Sequence, residues 1–187
     1  MLDQVTDAYR RFLDGDSAQF DTILDAYRES LIFYINRYVH NLHDAEDLAM
    51  DTFADLLARP KRYRFESSLK TYLFSIGAHK AIDFIRKHKR SQICDTETFS
   101  RLSSEEDDLA EAVIRDERRR ALLDAIDRLP PDYRNAVYLV YFEEMSYAEA
   151  GKILHKTEKQ INNLCYRAKG NLRKYLQEGG FGHEDPQ

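Results

Sequence analysis

The chain has 187 residues, 43% of them hydrophobic, and carries a formal net charge of −5, which allows one domain or two small ones. With only 7 Gly and 4 Pro, the composition argues against a turn-rich β fold and favours helices. No apolar run approaches the roughly 20 residues that cross a bilayer, and the acidic N-terminus is unlike a signal peptide, so a cytoplasmic protein without membrane insertion is expected.

Two amphipathic helices are predicted in the first third of the chain. Apolar side chains recur every three or four positions over residues 17–40, and Asn41 is expected to end this helix. A second helix begins near Asp44, and one side of it is acidic because Asp44, Asp47 and Asp51 follow one another at intervals of three and four. Such a surface suits a basic protein partner.

A basic, aromatic loop over residues 59–68 separates these helices from a third one. Ser67 or Ser68 is expected to cap the third helix, which continues to about residue 90. Together the three helices predict a small bundle with a shared core, domain 1–90.

Residues 91–107 lack hydrophobic periodicity and are rich in Ser, Thr and acidic residues, which predicts a flexible linker. Further helices are expected from about residue 108 to 129, where a Pro-Pro pair interrupts the chain, and over roughly 132–143. The polar end, 179–187, is expected to be a frayed tail.

Two helix-start signals stand eleven residues apart: Ser146 with Glu149, and Thr157 with Gln160. In such a capping box the hydroxyl accepts a backbone N–H and the later side chain reaches back. This spacing predicts a short helix, a turn and a second helix rich in Lys, Arg and Asn, as in a helix-turn-helix whose second helix enters the DNA major groove. The motif completes a second domain, 108–178, so the predicted fold is all-α with two small helical domains joined by the linker.

Charge is distributed unevenly along the chain. Residues 1–58 carry 4 basic and 12 acidic side chains, whereas residues 59–90 carry 10 basic and 2 acidic ones. Residues 152–174 carry 7 basic side chains, and Glu158 is the one acid among them. Because counterion release favours DNA binding by such basic strips, both strips are candidate nucleic-acid surfaces.

The second helix of the motif has an inward apolar stripe that includes Ile161, Cys165 and Ala168. Asn can read adenine with two hydrogen bonds, Arg reads guanine or holds phosphate, and Lys mainly neutralises phosphate. The candidate DNA-binding residues are those on the opposite side of the helix: Lys159, Asn162, Asn163, Tyr166 and Arg167.

Ordered motifs in both halves of the chain resemble those of bacterial extracytoplasmic-function sigma factors. The first conserved domain of that family resembles the segments Asp44–Leu48, Phe53, Ser68–Leu73, Ala81–Asp83, Arg86 and Lys89–Arg90. The second resembles Leu129–Arg134, Val140–Phe142, Ser146–Glu149 and Tyr166–Ala168. The resemblance covers most of the chain in family order.

The resemblance implies a sigma subunit that binds core RNA polymerase, captures the non-template strand of the −10 element and reads the −35 element of promoter DNA as duplex. It also implies control by an anti-sigma factor. The implied polymerase contact is the acidic face formed by Asp44, Asp47 and Asp51. The implied −10 contacts are a pocket for an extruded base and basic positions after it: Tyr63, Arg64, Phe65, His79, Lys80 and Arg86. Packing of Tyr63 and Phe65 beneath the loop is the alternative for those two rings.

The chain departs from the family pattern at four positions. Tyr72 stands where Trp is usual, His79 where Asn is frequent, and Met50 where Gln is common. His155 stands in the turn where Gly is usual, and a left-handed backbone there would be strained.

Other functional classes are less well supported by the sequence. A helix-turn-helix repressor or activator that never engages polymerase would need neither the acidic helix nor the aromatic loop. No phosphate-binding Gly loop or His-Glu-x-x-His motif is present, so no enzyme, cofactor or small-molecule substrate is expected. Cys94 and Cys165 match no zinc spacing, and His40, His43 and Asp44 are expected to form a surface cluster, so no metal site is predicted.

Overall fold

The computed structural model describes residues 2–89 and 109–181, and within those ranges it is helical and contains no strand. The α-helices are α1 Leu2–Leu13, α2 Gln19–Val39, α3 Leu42–Ala58, α4 Leu69–Lys89, α5 Leu109–Asp127, α6 Pro131–Val137, α7 Tyr147–Leu154 and α8 Glu158–Glu178. The all-α prediction is confirmed. The predicted linker at 91–107, with Cys94, and most of the predicted tail lie outside the described residues.

Contacts divide the chain into two compact units. The first contains α1–α4 together with residues 148–156, and the second contains α5, α6, Tyr147 and α8. The predicted domain bounds, 1–90 and 108–178, stay a prediction.

The core of the first unit lies between α2, α3 and α4. Its fully buried side chains include Ile23, Leu31, Ile35, Phe53, Leu56, Leu69, Leu73 and Phe74. Gly77 lets α4 approach α2 closely, since a Cβ at this position would lie 2.9 Å from Leu31 Cδ1. The three predicted helices of this bundle are therefore present, and they share one apolar core.

The boundary between α2 and α3 corrects the expectation for Asn41. His40 ends α2 in a left-handed conformation (φ 55°), and its N–H donates to Asn36 O. Asn41 instead begins α3, because its Oδ1 accepts the N–H of Asp44 at 3.2 Å. Asn can serve at either end of a helix, and here the capping hydrogen bond decides for the start.

Ser68 caps α4, as one of the two predicted serines was expected to do. Its Oγ accepts the N–H of Thr71 at 3.2 Å, which satisfies one of the backbone donors that a helix start leaves without an intrahelical partner. This cap fixes the point at which the basic loop ends and the helix begins.

Helix α1 was not predicted. Val5, Ala8, Tyr9 and Phe12 nevertheless follow helical spacing, and Tyr9 is fully buried. The ring of Phe12 lies 5.4 Å from that of Phe20 at the start of α2. The apolar stripe of α1 is short and is interrupted by acidic residues in the sequence, so its helical spacing was not recognised. In the structure this stripe packs on the bundle.

The second unit has a smaller core in which Leu129, Val137 and Ala168 are buried, with Tyr133, Leu172 and Tyr175 partly buried around them. Pro131 occupies the first turn of α6, where its missing N–H costs nothing. The helix predicted over 132–143 is not uniform, because α6 gives way to a wider π-helical turn at Tyr138–Phe142. This wider turn carries Tyr141 and Phe142 to the surface.

The turn after α7 contains the strained residue that the sequence suggested. His155 has a φ of 54°, in the left-handed region that favours glycine, and Lys156 N–H donates to Gly151 O at 2.9 Å. His155 therefore adopts the left-handed backbone conformation that glycine usually adopts in such a turn.

Replacing His155 with Gly is expected to raise the free energy of unfolding by about 1 kcal/mol, because the left-handed backbone disfavours a side chain by about that amount. Denaturant unfolding measures the change. The same substitution at Lys152, inside α7, should lower stability by about 1 kcal/mol. A loss of stability in both variants would contradict the strain at His155.

Candidate nucleic-acid interface

The capping box predicted at the start of α8 is present. Thr157 Oγ1 accepts the N–H of Gln160 at 3.3 Å, and Gln160 Oε1 accepts the N–H of Thr157 at 2.8 Å. The two residues hold each other, so the first turn of α8 is fixed before any partner binds.

Helix α8 presents the polar face that the sequence indicated. Ile161, Cys165 and Ala168 are buried. The candidate DNA-binding residues are all exposed, and Tyr166 is 80% exposed: Lys159, Asn162, Asn163, Tyr166 and Arg167. Amide, guanidinium and ammonium groups therefore share one accessible surface, and their binding to DNA stays a prediction.

Cys165 lies beneath this face with 1% exposure. Burial raises the pKa of its thiol above the ordinary value. A protonated, covered thiol is a poor nucleophile, so the structure favours the packing role for Cys165 over a redox role.

A shallow groove of about 470 Å³ opens beside the first turn of α8. It is lined by Tyr147, Thr157, Glu158, Lys159 and Asn162. Sequence reasoning did not assign Tyr147 or Glu158 to the interface, although Glu158 stood out as the one acid in the basic strip. The side chains that line the groove offer both hydrogen-bond donors and acceptors.

A second contact on this unit joins α8 to the π-helical turn. Lys169 Nζ lies 4.7 Å from the centroid of the Tyr141 ring. A hydrogen bond with Tyr141 raises the pKa of Lys169, and the hydrogen bond between Tyr141 and Tyr147 raises the pKa of Tyr147. This pairing holds a positive charge in place one turn beyond Tyr166, and sequence spacing alone gave no sign of it.

In the first unit, the loop at 59–68 does not present both of its predicted aromatic rings. Tyr63 is only 4% exposed, and its hydroxyl donates to Ser67 O at 2.5 Å. Its ring packs 5.1 Å from Tyr72, and burial raises its pKa. For Tyr63 the structure therefore favours the alternative of packing beneath the loop, because its hydroxyl and ring are both engaged by protein.

Phe65 differs from Tyr63 in being 40% exposed. It has a φ of 60°, and its ring lies 4.7 Å from that of Tyr63. Arg64 beside it is exposed as well. An exposed aromatic ring that packs against a buried one can stack with an unpaired base, since base stacking on aromatic side chains contributes about 1–3 kcal/mol.

Three further candidates lie on α4, and two of them are already paired. Lys80 Nζ is 2.8 Å from Asp55 Oδ2, and this hydrogen bond lowers the pKa of Asp55. Arg86 is 3.7 Å from Asp83 one turn away, and His79 is exposed. The basic strip on α4 is thus partly neutralised by the protein's own carboxylates, and the charge count along the sequence could not show the pairing of Lys80 with Asp55 of another helix.

The acidic face of α3 lies at the surface. Asp47 and Asp51 are exposed, whereas Asp44 is half-buried at the capped helix start. An apolar side chain accompanies them, because Met50, which precedes Asp51, is 46% exposed. Carboxylates beside apolar side chains are suited to a protein partner.

No three His, Cys, Asp or Glu side chains come close enough to hold a metal ion in the part of the chain that the structure describes. Among the described helices, none is long and apolar enough to cross a membrane.

Comparison with protein families finds matches in both halves of the chain. The family model for sigma-70 region 2 matches residues 23–91, and the one for sigma-70 region 4 matches residues 119–172.

Curated relatives match over nearly their whole length. The chain is 27% identical over 172 residues to the ECF RNA polymerase sigma factor SigW of Bacillus subtilis, covering 88% of this chain and 92% of SigW. It is 29% identical over 170 residues to the RNA polymerase sigma factor CarQ of Myxococcus xanthus, covering 90% and 95% of the two chains.

Solved structures share the fold. The sigma factor RpoE of Bartonella quintana, crystallised with the anti-sigma factor NepR, aligns with a TM-score of 0.66 at 22% identity, over 84% of this chain and 96% of RpoE. CnrH, in complex with the cytosolic domain of CnrY, gives the same TM-score at 19% identity, and the alignment covers 95% of this chain and 99% of CnrH.

Proposed function

The chain belongs to the extracytoplasmic-function sigma factors of the sigma-70 family, and from this membership we propose how its residues direct RNA polymerase to promoters. Its second domain reads the −35 element as duplex, and its first domain binds core polymerase and captures the −10 element. The observation that carries this proposal is the exposed face of α8, where five candidate DNA-binding side chains lie over a buried apolar stripe.

Within the −35 element, Asn162 and Arg167 read base edges. Asn pairs with adenine through two hydrogen bonds and Arg with guanine, and each such pair contributes about 1–3 kcal/mol of discrimination. Asn163 also faces the bases, and Tyr166 offers an apolar surface to a thymine methyl group, while Lys159 holds a backbone phosphate. The capping box supports this arrangement because it fixes the first turn of the helix.

At the −10 element, Phe65 stacks with a base taken out of the duplex, and Arg64 neutralises the adjoining backbone. Extrusion of a base costs a few kcal/mol, which stacking alone offsets only in part, so the polymerase must share the cost. Tyr63 supports Phe65 from below rather than stacking with DNA. His79 and Arg86 extend the basic surface, and Lys80 contributes when DNA displaces Asp55.

Polymerase binding uses the acidic side of α3, with Asp47 and Asp51 as the exposed charges and Asp44 at the helix start. Charged contacts steer association, and the exposed Met50 beside them supplies apolar area. Both features suit a surface that docks on a basic, partly apolar region of core polymerase.

Three further properties follow from the proposal. Residues 1–90 and 108–178 act as separate promoter-binding domains, which the two family matches support. The protein is an initiation factor without catalytic, metal or small-molecule chemistry of its own, and it acts inside the cell with the polymerase. An anti-sigma factor controls it, as complexes of two proteins of the same fold suggest.

A repressor or activator that works without polymerase is not favoured. Such a protein would explain the face of α8 but would leave the acidic side of α3 and the exposed Phe65 without a role. Family membership in both halves of the chain argues the same way.

Run-off transcription with purified core polymerase and a library of promoter sequences tests the proposal. We expect the protein to select templates that share two short elements, one near −10 and one near −35. Transcripts that do not depend on added protein, or binding to DNA without any transcript, would contradict it.

A further inference from the structure

Helix α1 lies outside the family match, which begins at residue 23, yet it packs directly on the loop at 59–68. Tyr9 is fully buried, and its hydroxyl donates to Pro60 O at 2.6 Å. The rings of Tyr9 and Tyr63 meet edge to face at 5.4 Å. Burial raises the pKa of Tyr9 to about 12, so it stays a neutral hydrogen-bond donor. The loop is therefore anchored from α1 as well as from α4.

Arg10, the next residue of α1, emerges beside the exposed ring of the loop. Its guanidinium carbon lies 5.4 Å from the centroid of the Phe65 ring, a distance typical of a cation–π contact. Its charge is also close enough to Tyr63 to oppose the effect of burial on the pKa of that hydroxyl. The delocalised cation of Arg10 thus lies against Phe65, which is the exposed one of the two aromatic rings described in the loop at 59–68.

The guanidinium of Arg10 remains accessible. Its side chain is 59% exposed, and it forms an ion pair with Asp7 of the same helix at 2.9 Å. Asp7 is itself half-exposed, so this pair is weak and readily exchanged for a stronger anion. When a base stacks on Phe65, the long side chain of Arg10 can move to the edge of the ring and donate N–H bonds to a neighbouring phosphate oxygen.

We propose that Arg10 is a further DNA-binding residue, which contacts a backbone phosphate of the displaced strand next to the base that stacks on Phe65. The contact combines two observations: Arg10 packs against the exposed ring, and α1 is anchored to the loop through Tyr9. Asp7 holds the guanidinium in the absence of DNA and gives it up when the strand binds. This inference rests on the proposed function, and it adds a helix outside the matched domain to the −10 site.

The test uses the full chain assembled with core polymerase. A fluorescent non-template-strand oligonucleotide, spanning the −10 element of a promoter recovered from the library, is titrated at several salt concentrations. Arg10→Ala should weaken binding about five- to twentyfold and reduce the salt dependence by about one phosphate contact. Arg11→Ala, one residue along the same exposed stretch, is the matched control and should change binding less than twofold, which is within the usual range for a surface charge.

Asp7→Asn supplies a second, opposite readout. Removing the competing carboxylate should strengthen binding about two- to fivefold, because the guanidinium no longer has to leave an ion pair. If α1 had a purely structural role, both substitutions would weaken binding of the oligonucleotide. They would also weaken binding of −35 duplex DNA and lower thermal stability.

The outcomes distinguish failure of the proposed function from failure of the assignment of Arg10. If the wild-type holoenzyme fails to bind the oligonucleotide, the proposed function fails first. If the wild type binds and Arg10→Ala binds equally well, the assignment of Arg10 is overturned and the proposed function stands. The same conclusion follows if Arg11→Ala weakens binding of the oligonucleotide as much as Arg10→Ala does.

Discussion

Replacing Asn162 and Arg167 with Ala is expected to remove most of the sequence selectivity for the −35 element. Each side chain is proposed to pair with a base edge, so each loss should cost about 1–3 kcal/mol of discrimination. Both side chains are exposed on α8, whereas Ile161 and Cys165 form its core contact, so the substitutions should leave folding intact. Binding to duplexes that carry single-base changes in the element measures the effect.

The control for this result is binding to core polymerase, which the same double variant should retain. Replacing Lys159 with Ala should act differently, weakening binding to all duplexes by a similar factor, since a phosphate contact carries no base preference. An equal loss of DNA and polymerase binding in the double variant would refute the assignment of α8, because it would indicate a damaged fold.

Reversing the charges at Asp47 and Asp51 to Lys is expected to weaken association with core polymerase at least tenfold, which is about 1.4 kcal/mol. The two proposed attractive contacts would become repulsive in this variant, and like charges facing each other across an interface cost several kcal/mol. The loss should lie mainly in the association rate and should shrink as salt is raised. Surface plasmon resonance with immobilised core polymerase separates the two rates.

Asp25→Lys is the matched control for this charge reversal, because Asp25 is an exposed acid on the neighbouring helix α2. It should leave the association rate within a factor of two, and −35 duplex binding should be unchanged in all these variants. Unchanged affinity of the Asp47 and Asp51 variant would count against the acidic side of α3 as the polymerase contact.

Much of the architecture could be read from local patterns in the sequence. Helices α2–α4 follow apolar spacing, and the start of α8 follows from one hydroxyl and one amide three residues apart. Ser68 was one of two candidates, and only the geometry of its Oγ decides between them. Patterns of this kind are local, so they can be recognised in the sequence without knowledge of the tertiary fold.

Other features depend on contacts between distant residues and could not be predicted. Tyr63 and Phe65 stand two positions apart in the same loop, yet one is buried by Tyr9 and Tyr72 while the other is exposed. The burial of Tyr63 depends on Tyr9 of α1 and Tyr72 of α4, and the apolar stripe of α1 is short and interrupted by charges.

Charge counting has a similar limit. Lys80 contributes to the basic strip in the sequence but pairs with Asp55 of another helix in the fold. Counting charges along the chain gives the sign of a surface, whereas the number of cations available to DNA depends on which carboxylates fold next to them.

The central claim is that one chain reads two promoter elements and delivers the polymerase to them. Run-off transcription on a single promoter, altered in its −10 element, its −35 element or both, tests this most directly. We predict that transcription requires the added protein, falls with either altered element, and falls with the Asn162 and Arg167 substitutions only when the −35 element is intact. Transcription that is indifferent to the −35 element, or loss of transcript from the Asn162 and Arg167 variant on a template that lacks that element, would contradict the account.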